Sequence, residues 1–328
     1  MRTTPPSVPR LVWGGLALAA AILALLGGIL LGPWGVAAGP VLVAAPTAFL
    51  WRQAAARWRL RRSALAVPFP DAWRRLLLDW SDHYARLPEA LRARFEDDLR
   101  IFLAERQITG VGVEATDEVR LLVAASAVTL TLGWPDAEWD QLTEVLLYPD
   151  DFDRDYEFGR DELAGEAHTW GTVILSVPTL CESFRDPDDG YHVGFHEFAH
   201  LLDLEQARFD GIPAGFDEAQ ANRWVEIRER EVPRMLRGDS VLDDYGAHDP
   251  VEFFAVSVEA FFETALALRR ACPELYELLV AYFRQDPAGW DDARGLLLDP
   301  PARPRPPRRR LRRGRRRPHP PASSGISA

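Results

Sequence analysis

The chain has 328 residues, which allows one large domain or two ordinary ones, and a hydrophobic content of 47% excludes a largely disordered protein. All 49 acidic residues lie between 63 and 300, a segment called the body below. Of the 38 Arg, 17 lie in the two ends of the chain and 21 in the body, so the body has a net charge of −28. Such a body repels phosphates, which excludes nucleic acid as a partner, and two distant cysteines exclude a disulfide scaffold.

The N-terminal segment, residues 1–62, predicts a transmembrane helical hairpin. No charged residue occurs from Leu11 to Trp51, a run of 41 positions, whereas one bilayer span requires about 20 apolar residues. A Gly-Pro-Trp-Gly turn cluster divides this run into two helices, at about 11–31 and 35–51. Arg residues flank both outer ends, which predicts an inner-membrane protein whose remaining chain faces the cytoplasm. A cleaved signal peptide is the alternative.

The first half of the body mixes helical and strand patterns. Leu91, Phe95 and Leu99 keep a helical spacing, and we predict that residues 63–110 are helical until a Gly-Val-Gly sequence interrupts them. The patterns that follow predict, in order, an apolar helix at 116–133, a short strand at 145–148, an acidic loop at 150–161 and a strand at 172–177.

The second half of the body is predicted to be helical. Helices are expected from about Tyr191, over 218–236 and over 250–266, the last opened by Pro250. The tail, residues 300–328, is rich in Pro and Arg without an apolar pattern, and we expect it to be disordered.

A possible metal site lies on the helix expected near Tyr191. His196 and His200 are four residues apart, so both imidazoles project from one helix face and can reach one Zn²⁺ at about 2.0–2.1 Å. Glu197 lies where it can take a proton from a water that the metal activates. Because this five-residue pattern also occurs by chance as a surface His pair, its surroundings decide its meaning.

The surroundings favour a metal site. The motif helix is apolar on most sides, and two buried histidines beside a buried Glu197 are costly unless a metal partners them. The strand at 172–177 is expected at a sheet edge, where a substrate backbone can pair with it. Asp203 is a candidate to orient the metal ligands.

The helix at 250–266 offers a third ligand in Glu252, Glu259 or Glu263. Glu252 and Glu259 are about 10.5 Å apart along a helix axis, so one can bind the metal while the other orients a ligand. His248 is a rival ligand on a loop, and His192 is expected at the cleft edge or at the start of the motif helix.

Longer motifs carry a family resemblance. His-Glu-Phe-Ala-His-Leu-Leu-Asp from His196, Asp-Gly-Ile-Pro from Asp210, and Asp-Tyr-Gly-Ala-His-Asp-Pro-Val-Glu-Phe-Phe from Asp244 resemble the Mlc titration factor A family of glucose-regulated metallopeptidases, over roughly 68–290. The resemblance implies an α+β zincin-like domain, Glu252 as the third zinc ligand and Glu259 as an orienting residue. It also implies that Tyr245 polarises the scissile carbonyl or steadies the oxyanion.

Two functions from different classes follow. The first is a zinc metallopeptidase domain at 63–299 that hydrolyses a peptide or protein substrate, with His196, His200 and Glu252 on Zn²⁺ and with Glu197 and Tyr245 as catalytic groups. The second is a catalytically silent, membrane-anchored protein of the same fold that binds a regulatory partner such as a transcriptional repressor. The hairpin and the Arg-rich tail depart from the family pattern, and they leave the identity of that partner open.

Overall fold

The structure is a computed structural model that describes residues 10–134, 139–153, 156, 163–203 and 211–290. The predicted disordered tail and most of the predicted acidic loop lie outside these residues. The chain divides into two compact units, the first formed by residues 1–69 with 100–105 and the second by 70–99 with 106–328.

The first unit contains two long helices, α1 (Arg10–Leu31) and α2 (Pro33–Ala66), which pack against each other as a hairpin. The turn is the single residue Gly32, with φ 65°, because Pro33 already begins the next helix. α2 is longer than the predicted 35–51 and continues through the expected boundary at residue 62. Its second half is held by Arg61, whose Nε lies 2.5 Å from Glu105 Oε1. In the described part of the chain, no helix combines the length and apolarity that a membrane crossing requires.

The second unit begins with helices α3 (Asp71–Trp80), α4 (Asp82–Arg86) and α5 (Glu89–Glu105), the last of which ends in the first unit. Ser81 separates α3 from α4, and its Oγ accepts a hydrogen bond from the backbone N–H of Tyr84. The prediction of helix throughout 63–110 is wrong at its end, because Gln107–Gly110 forms strand β1. β1 obtains its hydrogen bonds from a distant partner strand, a contact that local helical spacing cannot show.

The apolar helix predicted at 116–133 is α6 (Asp117–Thr131), which is capped by Thr116 and buried from Leu121 to its end. The described strands form one sheet in the order β1-β2-β4-β3, with β2 at Glu144–Tyr148, β3 at Gly165–Ala167 and β4 at Thr172–Ser176. β4 pairs in parallel with β2 and antiparallel with β3. The expectation that this strand lies at a sheet edge is therefore wrong, and the short β3 forms the edge of the described sheet beside it.

The chain continues from the sheet into α7 (Val177–Arg185), where sequence reasoning expected only the end of a strand. Pro178 lies in the first helical turn, where a missing N–H costs nothing. α8 (Val193–Asp203) follows, and every one of its residues is buried. The close approach of α8 to α6 requires Gly194, because a Cβ there would lie 2.3 Å from Ser126 Oγ.

Helices complete the second unit: α9 (Glu218–Arg237), α10 (Pro250–Glu263), α11 (Ala265–Ala271) and α12 (Pro273–Phe283), with a 3-10 turn at Asp244–Ala247. α9 starts at a capping box formed by Asp217 and Gln220 and ends at Gly238, with φ 75°. α10 packs against α8, so the two helices that carry the predicted ligands lie side by side. The mixed α and β composition, mostly helical with a small sheet, agrees with the predicted fold class of the body.

Candidate metal centre

The structure brings together the three side chains predicted to bind a metal. One ligand atom from each of His196, His200 and Glu252 lies within 4.8 Å of the other two, and all three residues are buried. Glu252 Oε2 is 3.0 Å from His196 Nε2 and 3.6 Å from His200 Nε2. Two imidazole nitrogens and a carboxylate that converge in a buried pocket form a donor set that suits a divalent transition metal.

The start of α10 fixes the position of Glu252. Asp249 caps the helix, and its Oδ1 accepts hydrogen bonds from the backbone N–H groups of Val251, at 2.8 Å, and Glu252, at 3.2 Å. Pro250 follows the cap and restricts φ for the first helical turn. The Asp-Pro-Val-Glu segment therefore acts as a rigid helix start that presents its Glu side chain to α8.

Glu259, two turns further along α10, contacts the other side of the His196 ring. Its Oε1 lies 2.5 Å from His196 Nδ1, so the imidazole is held between two carboxylates of one helix. Such a contact fixes the tautomer and leaves Nε2 directed to the metal position. The predicted roles, Glu252 as ligand and Glu259 as orienting residue, stay predictions, and the two carboxylates lie on opposite nitrogens of the His196 ring.

The electrostatics of His196 follow from this geometry. Burial lowers the pKa of the imidazole, but the charge of Glu259 and hydrogen bonds to Glu252 and Glu259 outweigh burial and raise the pKa to about 10. Without a metal, His196 is therefore an imidazolium that donates to both carboxylates. A metal ion that binds Nε2 replaces a proton that already occupies this position.

Glu197 lies beside the edge strand of the sheet. A Cβ at Gly165 on β3 would fall 2.6 Å from Glu197 Cγ and 2.8 Å from its Oε1, so only glycine lets the strand approach this carboxylate so closely. β3 is therefore the strand that borders the candidate site. Sequence reasoning missed Gly165, because a lone glycine after an acidic loop gives no signal of a long-range contact.

Tyr245 lies in the 3-10 turn before α10, and its backbone N–H donates to Asp243 Oδ1 at 2.9 Å. Its hydroxyl is 3.5 Å from Glu252 Oε1, and its ring centre is 5.9 Å from that of His196. The phenol thus lies at the border of the metal group. His248, the rival ligand, is exposed and its Nδ1 lies 2.8 Å from the Tyr245 carbonyl, outside the group.

Asp203 and Gly211 connect the two ligand-bearing helices. Asp203, at the end of α8, is buried and accepts a hydrogen bond from Gly211 N at 3.3 Å, while the Gly211 carbonyl accepts from Trp224 Nε1 at 2.8 Å. Gly211 has φ 69°, and a Cβ there would fall 2.1 Å from the carbonyl oxygen of Pro250. The predicted orienting role of Asp203 stays a prediction, and its observed contact supports the start of α10.

We expect Gly211→Ala to weaken metal binding. The added methyl would displace Pro250, and with it Glu252 two residues later, so the affinity for zinc should fall by about tenfold or more. Gly215→Ala is a matched control, because Gly215 also has a positive φ, 85°, but no atom lies within 4 Å of the point that an added Cβ would occupy. Zinc titration against a chromophoric chelator measures both variants, and equal losses of affinity would contradict the close-contact explanation.

His192 and Glu263 lie outside the metal group, although each is on or next to a helix that carries a predicted ligand. His192 precedes α8 and caps it, since its Nδ1 accepts from the backbone N–H of Phe195 at 3.2 Å, in agreement with the expected helix start. Glu263 is buried at the end of α10. Both side chains line a separate cavity.

A small sheet, two adjacent helices and a buried His-His-Glu group that could hold a metal ion are consistent with a metallopeptidase domain. The model of the glucose-regulated metallo-peptidase M90 family matches residues 55–284, and the chain belongs to this family. The match begins within α2, so α1 lies outside it. The family identification made from the sequence motifs is confirmed.

Individual relatives match about 70% of the chain. An uncharacterized protein of Synechocystis sp. is 32% identical over 246 residues, which span 70% of this chain and 89% of the relative. Mlc titration factor A of Edwardsiella ictaluri is 29% identical over 251 residues, which span 70% of this chain and 92% of that protein. Mlc titration factor A of Pectobacterium atrosepticum is 26% identical over 243 residues, which span 69% of this chain and 86% of that protein.

Proposed function

We propose that the protein is a zinc-dependent peptidase. The observation that carries this proposal is the buried group of His196, His200 and Glu252, with Glu197 one residue from the first ligand. A metal site with a purely structural role would need neither the Glu197 carboxylate beside the edge strand nor the Tyr245 phenol at the border of the metal position. Zinc is the metal that two imidazoles and one carboxylate most often hold in hydrolytic sites.

A zinc ion held there would polarise a substrate carbonyl and make a water acidic enough to attack it near neutral pH. Glu197 is placed to accept the proton of the attacking water and to pass it to the leaving amine. Tyr245 can donate its phenol hydrogen to the carbonyl oxygen as negative charge develops. Glu259 holds the orientation of the His196 ring during the reaction through its contact with Nδ1.

The edge of β3 supports the proposal of a peptide substrate. Ser176 N donates to the Ala164 carbonyl and His168 N donates to the Thr172 carbonyl, so even-numbered residues of this segment bond to β4. Antiparallel alternation turns the backbone groups of Gly165 and Ala167 outward instead. An extended peptide can add to this edge, and Gly165 places it beside Glu197.

The direct test is hydrolysis by the full chain. Zinc-loaded protein should cleave members of a broad peptide library, a chelator should abolish cleavage, and added zinc should restore it. Zinc binding without cleavage of any library member would overturn the peptidase proposal.

A second candidate function is supported by the relatives. Several carry the name Mlc titration factor A, which suggests that this chain binds a regulatory protein. Pull-down with a transcriptional regulator as prey would support this function if binding persists in a Glu197→Gln variant that cleaves nothing. The two functions are compatible, because binding of a partner needs no turnover.

Zinc affinity should depend on pH. Since the pKa of His196 is raised to about 10 in the metal-free site, a proton must leave before zinc binds, and the proton competes more strongly as pH falls. Between pH 8 and pH 6 we therefore expect the apparent affinity to fall by about tenfold for each pH unit. Competition titrations with a chelator, corrected for the chelator's own protonation, measure this slope, and an affinity independent of pH would contradict the bridged imidazolium.

We further propose a location at the cytoplasmic membrane, with the metal site facing the cytoplasm. The uncharged run before Arg52, the flanking Arg residues and the exposed apolar side chains of α1, among them Leu25 and Ile29, support this location. A reporter fused after Arg62 should be active in the cytoplasm and sediment with membranes. Reporter activity in the periplasm would overturn the proposed orientation.

A further inference from the structure

The turn after β3 presents a tryptophan to solvent. Trp170 is 67% exposed, and one face of its indole stacks on the ring of His168, with ring centres 4.3 Å apart and planes 8° from parallel. His168 directly follows β3, which is the edge strand of the described sheet. The stack therefore lies at one end of the edge that borders the candidate metal centre.

The turn that carries Trp170 is held in one conformation. The N–H of Gly171 donates to the His168 carbonyl at 2.9 Å, and Thr143 donates its Oγ1 hydrogen to the Trp170 carbonyl at 2.9 Å. Gly171 has φ 90°, and a Cβ there would fall 1.8 Å from the carbonyl oxygen of Gln141. A ligand that covers the indole therefore restricts little further motion of the turn, which favours binding.

A carboxylate and a phenol meet at one edge of the same imidazole. Glu166 Oε2 lies 3.9 Å from His168 Nε2, and the Tyr156 hydroxyl lies 3.3 Å from that nitrogen. Glu166 and His168 are two residues apart, so their side chains lie on one face of the sheet. Gly165 approaches Glu197 on the opposite face. The aromatic stack and the Glu166 carboxylate thus form one surface on the face of β3 that is turned away from α8.

This surface suits a cationic side chain. A Trp ring attracts a cation more strongly than any other aromatic ring, and a guanidinium can also stack flat on it. Glu166 adds an opposite charge beside the stack, and the net charge of −28 on the body attracts basic ligands and repels acidic ones. An aliphatic side chain would contact the indole but would gain nothing from the carboxylate.

The spacing along β3 relates this surface to the metal centre. A peptide that adds to the edge bonds to the outward backbone groups of Gly165 and Ala167, and a rise of about 3.4 Å per residue places His168 about 10 Å beyond Gly165. Side chains of the added strand alternate between the two faces, so the one opposite His168 points to the face that carries Trp170. This is the third residue from the one that lies beside Gly165 and Glu197.

We propose that Trp170, His168 and Glu166 form a subsite for an Arg or Lys side chain of the peptide substrate, about three residues from the scissile bond. The inference rests on the proposed peptidase function, because it takes β3 as the edge along which the substrate lies. It adds a preference for a basic residue, which the metal group does not determine.

Peptide binding without turnover tests the subsite. The full chain carrying Glu197→Gln is titrated with fluorescent octapeptides of Ala and Thr that contain one central Arg, citrulline or Phe, and anisotropy reports binding. Citrulline has nearly the shape of Arg without its charge, and Phe tests ring stacking alone. The Arg peptide should bind about five- to tenfold more tightly than the citrulline peptide. Equal binding of these two, tighter binding of the Phe peptide, or no binding of any of the three would overturn the proposal.

Variants in the same background locate the preference. Trp170→Leu keeps an apolar side chain but removes the aromatic face, so the preference for Arg should fall to about twofold, the remaining effect of an exposed ion pair with Glu166. Glu166→Gln should remove that smaller part instead. Leu236→Ala is the control, because Leu236 on α9 is also exposed, at 68%, and this variant should keep the full preference. An unchanged preference in Trp170→Leu would contradict the assignment.

Cleavage separates this proposal from the peptidase proposal. If the unmodified chain cleaves peptides, kcat/KM should show the same preference for Arg over citrulline at about three residues from the bond, and its absence there would overturn the proposed register. If the unmodified chain cleaves nothing while the binding preference still depends on Trp170, the peptidase proposal fails and the subsite for a basic peptide side chain stands.

Discussion

Glu197→Gln is expected to retain zinc and to lose almost all peptidase activity. The amide keeps the size of the side chain beside Gly165 but cannot accept a proton from the attacking water. Removal of a general base typically lowers turnover by about 10² to 10⁴-fold, and we expect kcat to fall within this range while KM changes little. Zinc content by mass spectrometry and turnover on a cleaved library peptide measure the two properties separately.

A matched variant controls for the change of charge. Glu182→Gln alters an exposed carboxylate on α7, outside the candidate site, and should leave both zinc content and turnover unchanged. If Glu197→Gln retained full turnover, another group would have to serve as the base. If it lost zinc instead, Glu197 would be needed to assemble the site, and the assigned role would be wrong.

Glu252→Gln is expected to remove zinc binding. Its carboxylate is the member of the group that faces both imidazoles, and a neutral amide is a poor zinc ligand, so the affinity should fall by at least about 100-fold. The same substitution also breaks the buried pair with the His196 imidazolium in the metal-free protein. Removal of one partner from such a pair costs about 3–5 kcal/mol, so the apo variant should also unfold at a lower temperature.

Glu263→Gln provides the control for this variant. It alters a buried Glu of the same helix outside the metal group, so it should bind zinc with normal affinity. Zinc titration and thermal unfolding of the two variants, each with and without zinc, separate loss of a ligand from general damage to α10. Equal zinc affinity in the two variants would exclude Glu252 as a ligand.

The parts of the site that the sequence predicts are those set by local rules. A spacing of four places His196 and His200 on one face of α8, and the Asp-Pro start of α10 fixes Glu252 through its cap. Both helices are recognisable because caps and apolar periodicity act over a few residues. The seven-residue separation of Glu252 and Glu259 also predicts two different roles, and the structure places them on the two nitrogens of one imidazole.

The remaining features depend on contacts between distant segments. The β1 segment on its own is compatible with a helix, but it forms a strand because it pairs with β2. In this pairing Gln107 lies opposite Glu144, which is 37 positions later in the chain. β4 is a clear strand, but its interior position depends on β3, which has only three residues. Gly165 and Gly211 are needed because a Cβ at either position would overlap atoms of a distant segment. The hydrophobic periodicity of the sequence carries no information about such contacts.

The central claim is that His196, His200 and Glu252 hold one zinc ion. Anomalous diffraction from crystals of the zinc-loaded protein, recorded on both sides of the zinc absorption edge, tests it most directly. We predict one strong peak at about 2.0–2.2 Å from His196 Nε2, His200 Nε2 and a Glu252 oxygen. A peak bound by other side chains, or no peak in protein shown to be fully loaded, would contradict the claim.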